Sequence, residues 1–248
     1  GANNTAVGYA VLDATTTGDD NTAVGSAAAS AITTGNGNTA VGRQALDALT
    51  TNSYCTAIGY QSLTANTQNN ITAVGAYSLM SNTTGDYNTA TGYGALEQNT
   101  TGANNTAIGH FALEDSTTAS NNTAVGYLAL TSNTSGTFNV AVGANALDAN
   151  TTGNNNIGVG YGSLTDNTTG VSNTAVGKNS LSNNTSGGSN CAFGTGALAA
   201  NTTADNNTAI GKDALTSNTT GSSCTAVGAF ALDANTVRAI NDAFGVSA

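Results

Sequence analysis

The sequence predicts an all-β protein, a parallel β-solenoid of about fifteen coils with 17 residues in each coil. Three observations support this prediction. One unit repeats along the whole chain, β-branched and turn residues keep fixed places within that unit, and strong helix formers other than Ala and Leu are scarce. A unit of this length is too short for two helices and suits one turn of a stacked β structure.

Each repeat contains one glycine that fixes its register, the residue that ends a T-A-V-G-like string. These anchor glycines are 17 residues apart throughout the chain, except for one spacing of 16 between Gly59 and Gly75. We expect the missing residue to lie in the corner at 68–71, leaving Val74 and Leu79 inward. A slip within a strand would instead turn its apolar face outward.

The first predicted strand of each coil is the T-A-V string before the anchor glycine. Its last residue is almost always Val, Ile or Phe, and this regular column is predicted to face the interior. The first five members of the column are Val7, Val24, Val41, Ile58 and Val74. The Ala in the middle of the string forms a column of small residues, which we expect to let a neighbouring chain approach closely.

The second predicted strand is the x-A-L segment that follows the anchor glycine. Its Leu, four residues after the glycine, forms another column that is predicted to be buried. The members assigned to the structural core are Leu46, Leu63, Leu79, Leu96, Leu113 and Leu130. A coil with so few large apolar residues has little interior of its own, which favours an oligomer.

The N-T-T-G string predicts the corner that closes each coil. In such turns Asn bonds to its own backbone and Gly supplies a positive φ. Thr stands eight residues after the anchor glycine in coil after coil, from Thr16 to Thr236. When coils stack, we expect the Asn and Thr columns to form hydrogen-bonded ladders, as in cross-β stacks.

The charge and the hydropathy of the chain exclude two classes of partner, nucleic acids and the membrane interior. The chain has 4 Lys and Arg against 14 Asp and Glu, a net charge of −10, so nucleic acid is not an expected partner. No apolar run reaches the roughly 18 residues that span a bilayer, and this segment is not expected to insert into a membrane. Residues 1–248 are predicted to form a single β-solenoid repeat domain, with 236–248 as a divergent last coil or the start of a cap.

Residues with catalytic or metal-binding potential are few. His110 is the only His, which excludes a zinc site of three His within one chain. Asp19 and Asp20 lack the surrounding pattern of a calcium loop. The three cysteines fall in coils that are too far apart for a disulfide. We therefore predict no enzyme activity, no cofactor and no metal.

A column of Tyr directly follows the anchor glycine and shares its place with His110. Other coils carry Ala, Arg or Lys there, so the position tolerates variety and is predicted to be exposed. Because rows of aromatic rings can hold sugars, this column is a candidate ligand-facing surface. Its members are Tyr9, Tyr60, Tyr93, Tyr127 and Tyr161.

The string N-T-A-V-G at Asn4–Gly8, followed by a small residue and Leu, resembles the head repeats of YadA-like trimeric autotransporter adhesins. It is still more similar to the NTAxGYxALxxNTTG repeat arrays of bacterial and phage tail-fibre and adhesin-like proteins. The resemblance covers the whole chain, although the adhesin heads have a shorter repeat. It implies a left-handed parallel β-roll that forms homotrimers and serves as a rigid extracellular shaft or head.

The leading hypothesis is a structural and adhesive rod segment of an extracellular fibre, either a surface adhesin or a phage tail fibre. The expected location is a bacterial cell surface or a virion. The expected partners are further copies of the chain and a host-surface glycan or protein receptor. The alternative is an ice-binding protein, because a Thr column repeating at about 4.8 Å would order water if its side chains face outward.

Overall fold

A computed structural model describes all residues, Gly1–Ala248. It is all-β and confirms the predicted β-solenoid, with one three-residue strand in each coil. The fifteen strands are β1 Thr5–Val7, β2 Thr22–Val24, β3 Thr39–Val41, β4 Thr56–Ile58, β5 Thr72–Val74, β6 Thr89–Thr91, β7 Thr106–Ile108, β8 Thr123–Val125, β9 Val140–Val142, β10 Ile157–Val159, β11 Thr174–Val176, β12 Cys191–Phe193, β13 Thr208–Ile210, β14 Thr225–Val227 and β15 Asp242–Phe244. The structure contains no helix that is long and apolar enough to cross a membrane.

Two compact units make up the chain, Gly1–Asn121 with β1–β7 and Asn122–Ala248 with β8–β15. Within each unit the strands pair in parallel and in chain order, as in β3 with β4 and β11 with β12. Equivalent residues of successive coils lie opposite each other, so Thr39 pairs with Thr56. Like side chains are therefore stacked in columns along each unit.

The single short spacing is absorbed in a corner, as predicted. Strands β4 and β5 keep the register of all the other pairs. Asn66 Nδ2 donates to the carbonyl of Gln68, two residues on, whereas the equivalent Asn82 donates to the carbonyl of Gly85, three residues on. The corner at Gln68 is thus one residue shorter, and Leu79 in the following coil stays fully buried.

The predicted orientation of the T-A-V strands was wrong. The middle Ala points inward and is fully buried in β2 to β9, while the residues on either side of it point outward. Of the five predicted core residues, Val7 and Ile58 are exposed and Val24, Val41 and Val74 are half-buried. Side chains alternate along a strand, so Thr and Val must share the face opposite to Ala.

The interior has room only for a small side chain behind each strand. At Gly158, which takes the place of the middle Ala, an added Cβ would lie 3.3 Å from Leu147 Cγ and 3.1 Å from Ser163 Oγ. A Val there would overlap the Leu column. The Ala column of the strands, which includes Ala23 and Ala40, is buried within its own chain, so it does not serve the close approach of a neighbour that the sequence suggested.

The Leu column is buried as predicted, but the segment that carries it is not a strand. Leu46, Leu63, Leu79, Leu96, Leu113 and Leu130 are all fully buried. In the fifth coil two tight turns replace the expected strand: the N–H of Ser78 donates to Gly75 O and that of Met80 donates to Tyr77 O, each at 3.3 Å. Tyr77 and Leu79 take the third place of these turns with φ of 61° and 48°, the left-handed conformation that a type II turn requires.

The N-T-T-G corner forms both predicted ladders. Asn150 Nδ2 donates to Asn133 Oδ1 in the preceding coil at 2.8 Å and to the carbonyl of Gly153 at 3.1 Å. The hydroxyl of Thr151 donates to the carbonyl of Thr168 in the following coil at 3.0 Å. Hydrogen bonds of this kind remove the main cost of burying the Asn side chains. The ladder is interrupted where Ser116 replaces Asn, and there Asn99 Oδ1 has no hydrogen-bond partner.

The corner glycine does not have the positive φ that the sequence suggested. Gly is favoured there because neighbouring coils approach closely: a Cβ on Gly153 would lie 2.4 Å from the carbonyl oxygen of Gly170, although Ala119 and Ala204 take this place in two other coils. The anchor glycine is the one with an unusual backbone, and Gly143 has a φ of 132°. The two glycine positions of the repeat therefore have different causes, a close approach between coils at the corner and a positive φ at the anchor.

Candidate functional site

Two exposed surfaces of this chain offer a partner something to bind. The first, the strand face, consists of the outward first and third residues of β1–β15. Fourteen of its fifteen third positions are Val, Ile or Phe, and the exception is Thr91. Ile210 is 42% exposed and Phe193 is 55% exposed. Within each unit, a column of exposed and half-buried apolar side chains of this kind is typical of interaction surfaces rather than of free solvent-facing sheets.

The strand face is almost without charge. Thr fills most of its first positions, and Asp242 in β15 is the one charged residue on it. The whole chain, in contrast, has a net charge of −10. A second molecule that approaches along this face therefore meets an apolar and hydroxyl surface, while the carboxylates lie elsewhere on the coil.

The second surface lies at the first turn after each strand, directly after the anchor glycine, where the predicted Tyr column is exposed. Tyr9, Tyr60, Tyr93, Tyr127 and Tyr161 are all solvent-exposed, from 38% at Tyr60 to 81% at Tyr9. Tyr60 and Tyr93 belong to one cluster of aromatic rings. Tyr9 and Tyr161 have no aromatic ring packed against them.

Tyr77 links Tyr60 and Tyr93 into a continuous row, which we call the aromatic ladder and define as Tyr60, Tyr77, Tyr93, His110 and Phe111. The ring centroids of Tyr60 and Tyr77 are 5.3 Å apart, and those of Tyr77 and Tyr93 are 5.5 Å apart. Tyr93 stacks on His110 and meets the edge of Phe111, both at 5.3 Å. The ladder therefore runs over four successive coils.

Sequence reasoning missed Tyr77 and Phe111 because they stand two residues after the anchor glycine rather than one. That second column carries left-handed φ values, 61° at Tyr77 and 56° at Phe111. The turn places its side chains beside those of the first column. Aligning both columns in the repeat register would have revealed the cluster from the sequence.

Polar side chains flank the aromatic ladder. The guanidinium carbon of Arg43 lies 6.0 Å from the centre of the Tyr60 ring, and Gln61 Nε2 donates to Gln44 Oε1 at 3.2 Å. Desolvation raises the pKa of the Glu97 carboxyl. Desolvation also raises the pKa of Tyr77, and the charges of neighbouring Tyr60, Tyr93 and Glu97 raise it further. The Glu97 carboxylate lies beside Gly94, where its Oε2 is 3.2 Å from the position that a Cβ on Gly94 would take.

The remaining candidates for chemistry do not converge. His110 belongs to the aromatic ladder, where it stacks on Tyr93. Asp19 accepts a hydrogen bond from the N–H of Ala2, and Asp20 accepts one from Asn3 Nδ2 at 3.1 Å. No group of three or more His, Cys, Asp or Glu side chains is placed to hold a metal ion.

The three cysteines are free thiols in different environments. Cys55 and Cys224 are buried in place of Asn in an inward column, and burial raises the pKa of the Cys55 thiol. Cys191 is partly exposed, because it is the first residue of β12 and belongs to the strand face. It is the single cysteine of the chain that a reagent can reach without unfolding.

Neither the protein-family models nor the curated proteins compared with this chain match its sequence. The class of protein is therefore defined by the fold, a β-solenoid repeat protein.

Proposed function

We propose that this β-solenoid is a structural and adhesive segment of an extracellular fibre, a surface adhesin or a phage tail fibre, in which three copies associate through their strand faces. The observation that carries the proposal is the column of exposed and half-buried apolar side chains on the outward side of the strands in each unit, interrupted only at Thr91. Burying apolar surface contributes about 25 cal/mol for each Å² removed from water. A column repeated in every coil sums that gain over the length of the assembly.

A second copy of the chain suits this face better than an unrelated partner. The column repeats with the spacing of the coils, and another solenoid presents the same period. Copies that carry a net charge of −10 repel each other, but the strand face contains a single carboxylate, that of Asp242. Contact along this face therefore brings few charges together. The trimeric state and an extracellular location, on a bacterial surface or a virion, are further supported by the resemblance to YadA-like head repeats.

The stacked coils suit a stiff, load-bearing role. Backbone hydrogen bonds join each coil to the next at several points, such as Gly160 N–H to Val142 O at 2.8 Å and Leu164 N–H to Ser180 O at 3.0 Å. The Asn and Thr ladders add side-chain bonds in the same direction. A non-enzymatic role fits an array of near-identical coils, in which unlike side chains do not converge on one cleft. A host glycan or protein receptor is the expected external partner.

The proposal is tested by the native mass of the protein in solution. Light scattering after size exclusion should give a multiple of the 24.1 kDa chain, three for a trimer. The double variant Val142→Asp and Ile210→Asp places charges on the strand face and should dissociate the assembly. Tyr127→Asp with Tyr161→Asp is the matched control, because it adds the same charge at exposed positions outside the strand face, directly after the anchor glycines. A wild-type chain that stays monomeric at micromolar concentration refutes association through the strand face.

Ice binding is the second candidate, and the same face favours it. Outward Thr and Val columns on a regular parallel sheet form an ordered array of hydroxyl and methyl groups. The corner Thr column is a weaker candidate, because its hydroxyls donate to carbonyls of the following coil, as Thr168 does to Thr185 O at 3.0 Å. Thermal hysteresis that is lost on replacing Thr174 and Thr208 by Asp would support this function. Its absence in a protein that forms trimers favours the fibre segment.

A further inference from the structure

We propose that the aromatic ladder is a binding site for a neutral glycan chain. The inference rests on the proposed adhesive function, because it names the ligand that the fibre segment would hold. The site consists of Tyr60, Tyr77, Tyr93, His110 and Phe111, with Arg43 and Glu97 at its margins.

The fold does not require these five aromatic residues. One residue after the anchor glycine, other coils carry Ala144 or Ala229, and two residues after it they carry Ala27 or Gly162. All of those coils keep the same strand register. The concentration of rings in four successive coils is therefore an addition to the repeat rather than a part of it.

Two of the rings occupy positions where they are conformationally unfavourable. Tyr77 and Phe111 adopt left-handed φ values that Gly or Asn adopts with less strain. Gly94, between them in the same column, lacks the side chain that would collide with the ring of Phe111. The backbone conformation itself belongs to the repeat, since Ala27 and Asn145 share it in other coils. What indicates a role outside folding is that large rings are placed at these positions and remain partly exposed.

The geometry suits an extended sugar chain. Neighbouring rings are separated by 5.3 to 5.5 Å, one step for each coil, and successive rings from Tyr60 to Tyr77 to Tyr93 are nearly perpendicular, at 86° and 83°. The row consequently presents both ring faces and phenol edges along one line. A pyranose ring has an apolar C–H face that packs on an aromatic ring, and hydroxyls that bond to polar groups beside it.

Suitable polar groups lie along the same row. The Gln44 and Gln61 amides supply donors and acceptors at one end. The Glu97 carboxylate supplies an acceptor beside Gly94, which lies between Tyr77 and Phe111 in the second column. The phenol hydroxyls are both donors and acceptors. This combination matches a ligand that is apolar on its faces and hydroxylated around its rim.

Charge and size distinguish a neutral glycan from other ligands. Arg43 is the one cation of Gly1–Asn121, in a chain of net charge −10, so sulfated or otherwise polyanionic ligands are repelled. A stable protein partner covers about 800 Å² on each side. Five partly exposed rings in a single row fall short of that area, but they match a chain of several sugar units.

The test is affinity electrophoresis of the full chain in native gels that contain a neutral polysaccharide. Hydroxyethylcellulose, galactomannan, xylan and soluble starch are the probes, with heparin as the anionic probe. The acidic protein migrates toward the anode, and binding retards it. We expect retardation by at least one neutral polysaccharide. In Tyr77→Asn with Tyr93→Ser the dissociation constant should rise about tenfold, the effect of removing a dominant contact.

Asn is chosen at position 77 because it tolerates the left-handed φ, so the variant keeps its turn. Tyr9→Ser with Tyr161→Ser is the matched control and should migrate as the wild type does, because both rings are exposed members of the same column outside the ladder. Retardation by none of the neutral probes, retardation by heparin alone, or equal retardation of the wild type and the ladder variant would each overturn the proposal. If the protein is a trimer but does not bind a neutral polysaccharide, the glycan site is refuted and the fibre function stands. If it binds a neutral polysaccharide but is a monomer, the glycan site stands and association through the strand face is refuted.

Discussion

Leu164 shows how a single residue carries the interior of a coil. Its side chain is fully buried, while its φ of 53° lies in the region that a β-branched residue avoids. Leu branches at Cγ and so combines a large apolar group with an unbranched Cβ. This accounts for a column of Leu rather than of Val or Ile at the second turn of almost every coil.

Leu164→Ala should lower the free energy of unfolding by about 2–5 kcal/mol, because it removes buried methyl groups and leaves a cavity. Tyr161→Ser in the same coil should change it by no more than about 0.5 kcal/mol, because the Tyr161 ring is 56% exposed. Urea unfolding followed by circular dichroism measures both. Equal losses for the two variants would contradict the assignment of inward and outward columns.

Asp148 makes stability depend on pH. The Thr165 hydroxyl donates to its carboxylate at 2.7 Å, but desolvation is the larger effect and raises the pKa. A raised pKa means that the folded state prefers the protonated acid, so ionisation at neutral pH destabilises the fold and acidification relieves that cost.

Asp148→Asn should therefore raise the melting temperature at pH 7, since the amide needs no ionisation and still accepts from Thr165. The gain should disappear below the ordinary Asp value of 3.8, where the wild-type carboxyl is protonated in both states. Asp13→Asn is the control for removing one negative charge, because Asp13 stands at the same position of the repeat as Asp148 but is exposed to solvent. A gain at pH 7 that persists unchanged at pH 3 would show that the desolvated carboxylate is not its source.

At the residue scale the sequence predicts the Leu column but not the face of the T-A-V strand. Three residues give no alternation long enough to choose between Ala inward and Val inward, and general hydrophobicity favours Val. The choice is made by the room that Leu147 and its equivalents leave behind the strand, as the 3.3 Å approach at Gly158 shows. That volume is a property of packed coils and is absent from the pattern of one unit.

At the scale of the repeat unit, the strand, the turns and the corner depend on two glycine positions. The anchor position requires an unusual φ, and the corner position requires a close approach between coils. Gly143 has a φ of 132°, which L-residues rarely adopt, and an added Cβ would lie 2.6 Å from Gly160 O. Gly153 lies as close to its neighbour, but its φ is ordinary, and Ala119 and Ala204 occupy the same place in other coils.

Gly143→Ala should accordingly lower the melting temperature much more than Gly153→Ala. Both variants add one methyl group to the same coil against a carbonyl oxygen, and the methyl at Gly153 also meets Asn150 Oδ1 at 2.4 Å. Because the crowding at Gly153 is at least as severe, a larger loss at Gly143 is due to its backbone conformation. Thermal unfolding of the two variants measures the difference. Similar melting temperatures would mean that close approach, rather than φ, makes the anchor position glycine.

The sequence predicts the length of the unit, its anchor, its corner and the ladders, because Gly, Asn and Thr recur at fixed offsets. It does not reveal that the x-A-L segment is a pair of turns. A strand requires extended residues, and nothing in the letters of Ser78 to Met80 shows that Leu79 has a φ of 48°. Polar turn residues mark ordinary turns, whereas this one is stabilised by burial of its third residue.

At the scale of the whole molecule, the chain carries two surfaces that differ in how they repeat. The strand face repeats in every coil and is therefore suited to partners with the same period, above all another copy. The aromatic ladder occurs once, over four coils, and is suited to a ligand of limited length. The first could be predicted only after the strand orientation was known, while the Tyr column, half of the second, is evident in the sequence.

Cys191 provides the most direct test of the claim that copies meet at the strand face. It lies on that face in β12 and is partly exposed in the single chain, whereas Cys55 and Cys224 are buried. In the native wild-type protein its reaction with a thiol reagent should be slow, because a second copy covers it. In Val142→Asp with Ile210→Asp the same single thiol should react severalfold faster, and Cys191→Ser should abolish the native reaction. Equally fast labelling of the wild type and the face variant, in a wild type whose native mass is that of an oligomer, would place the interface elsewhere and contradict the account.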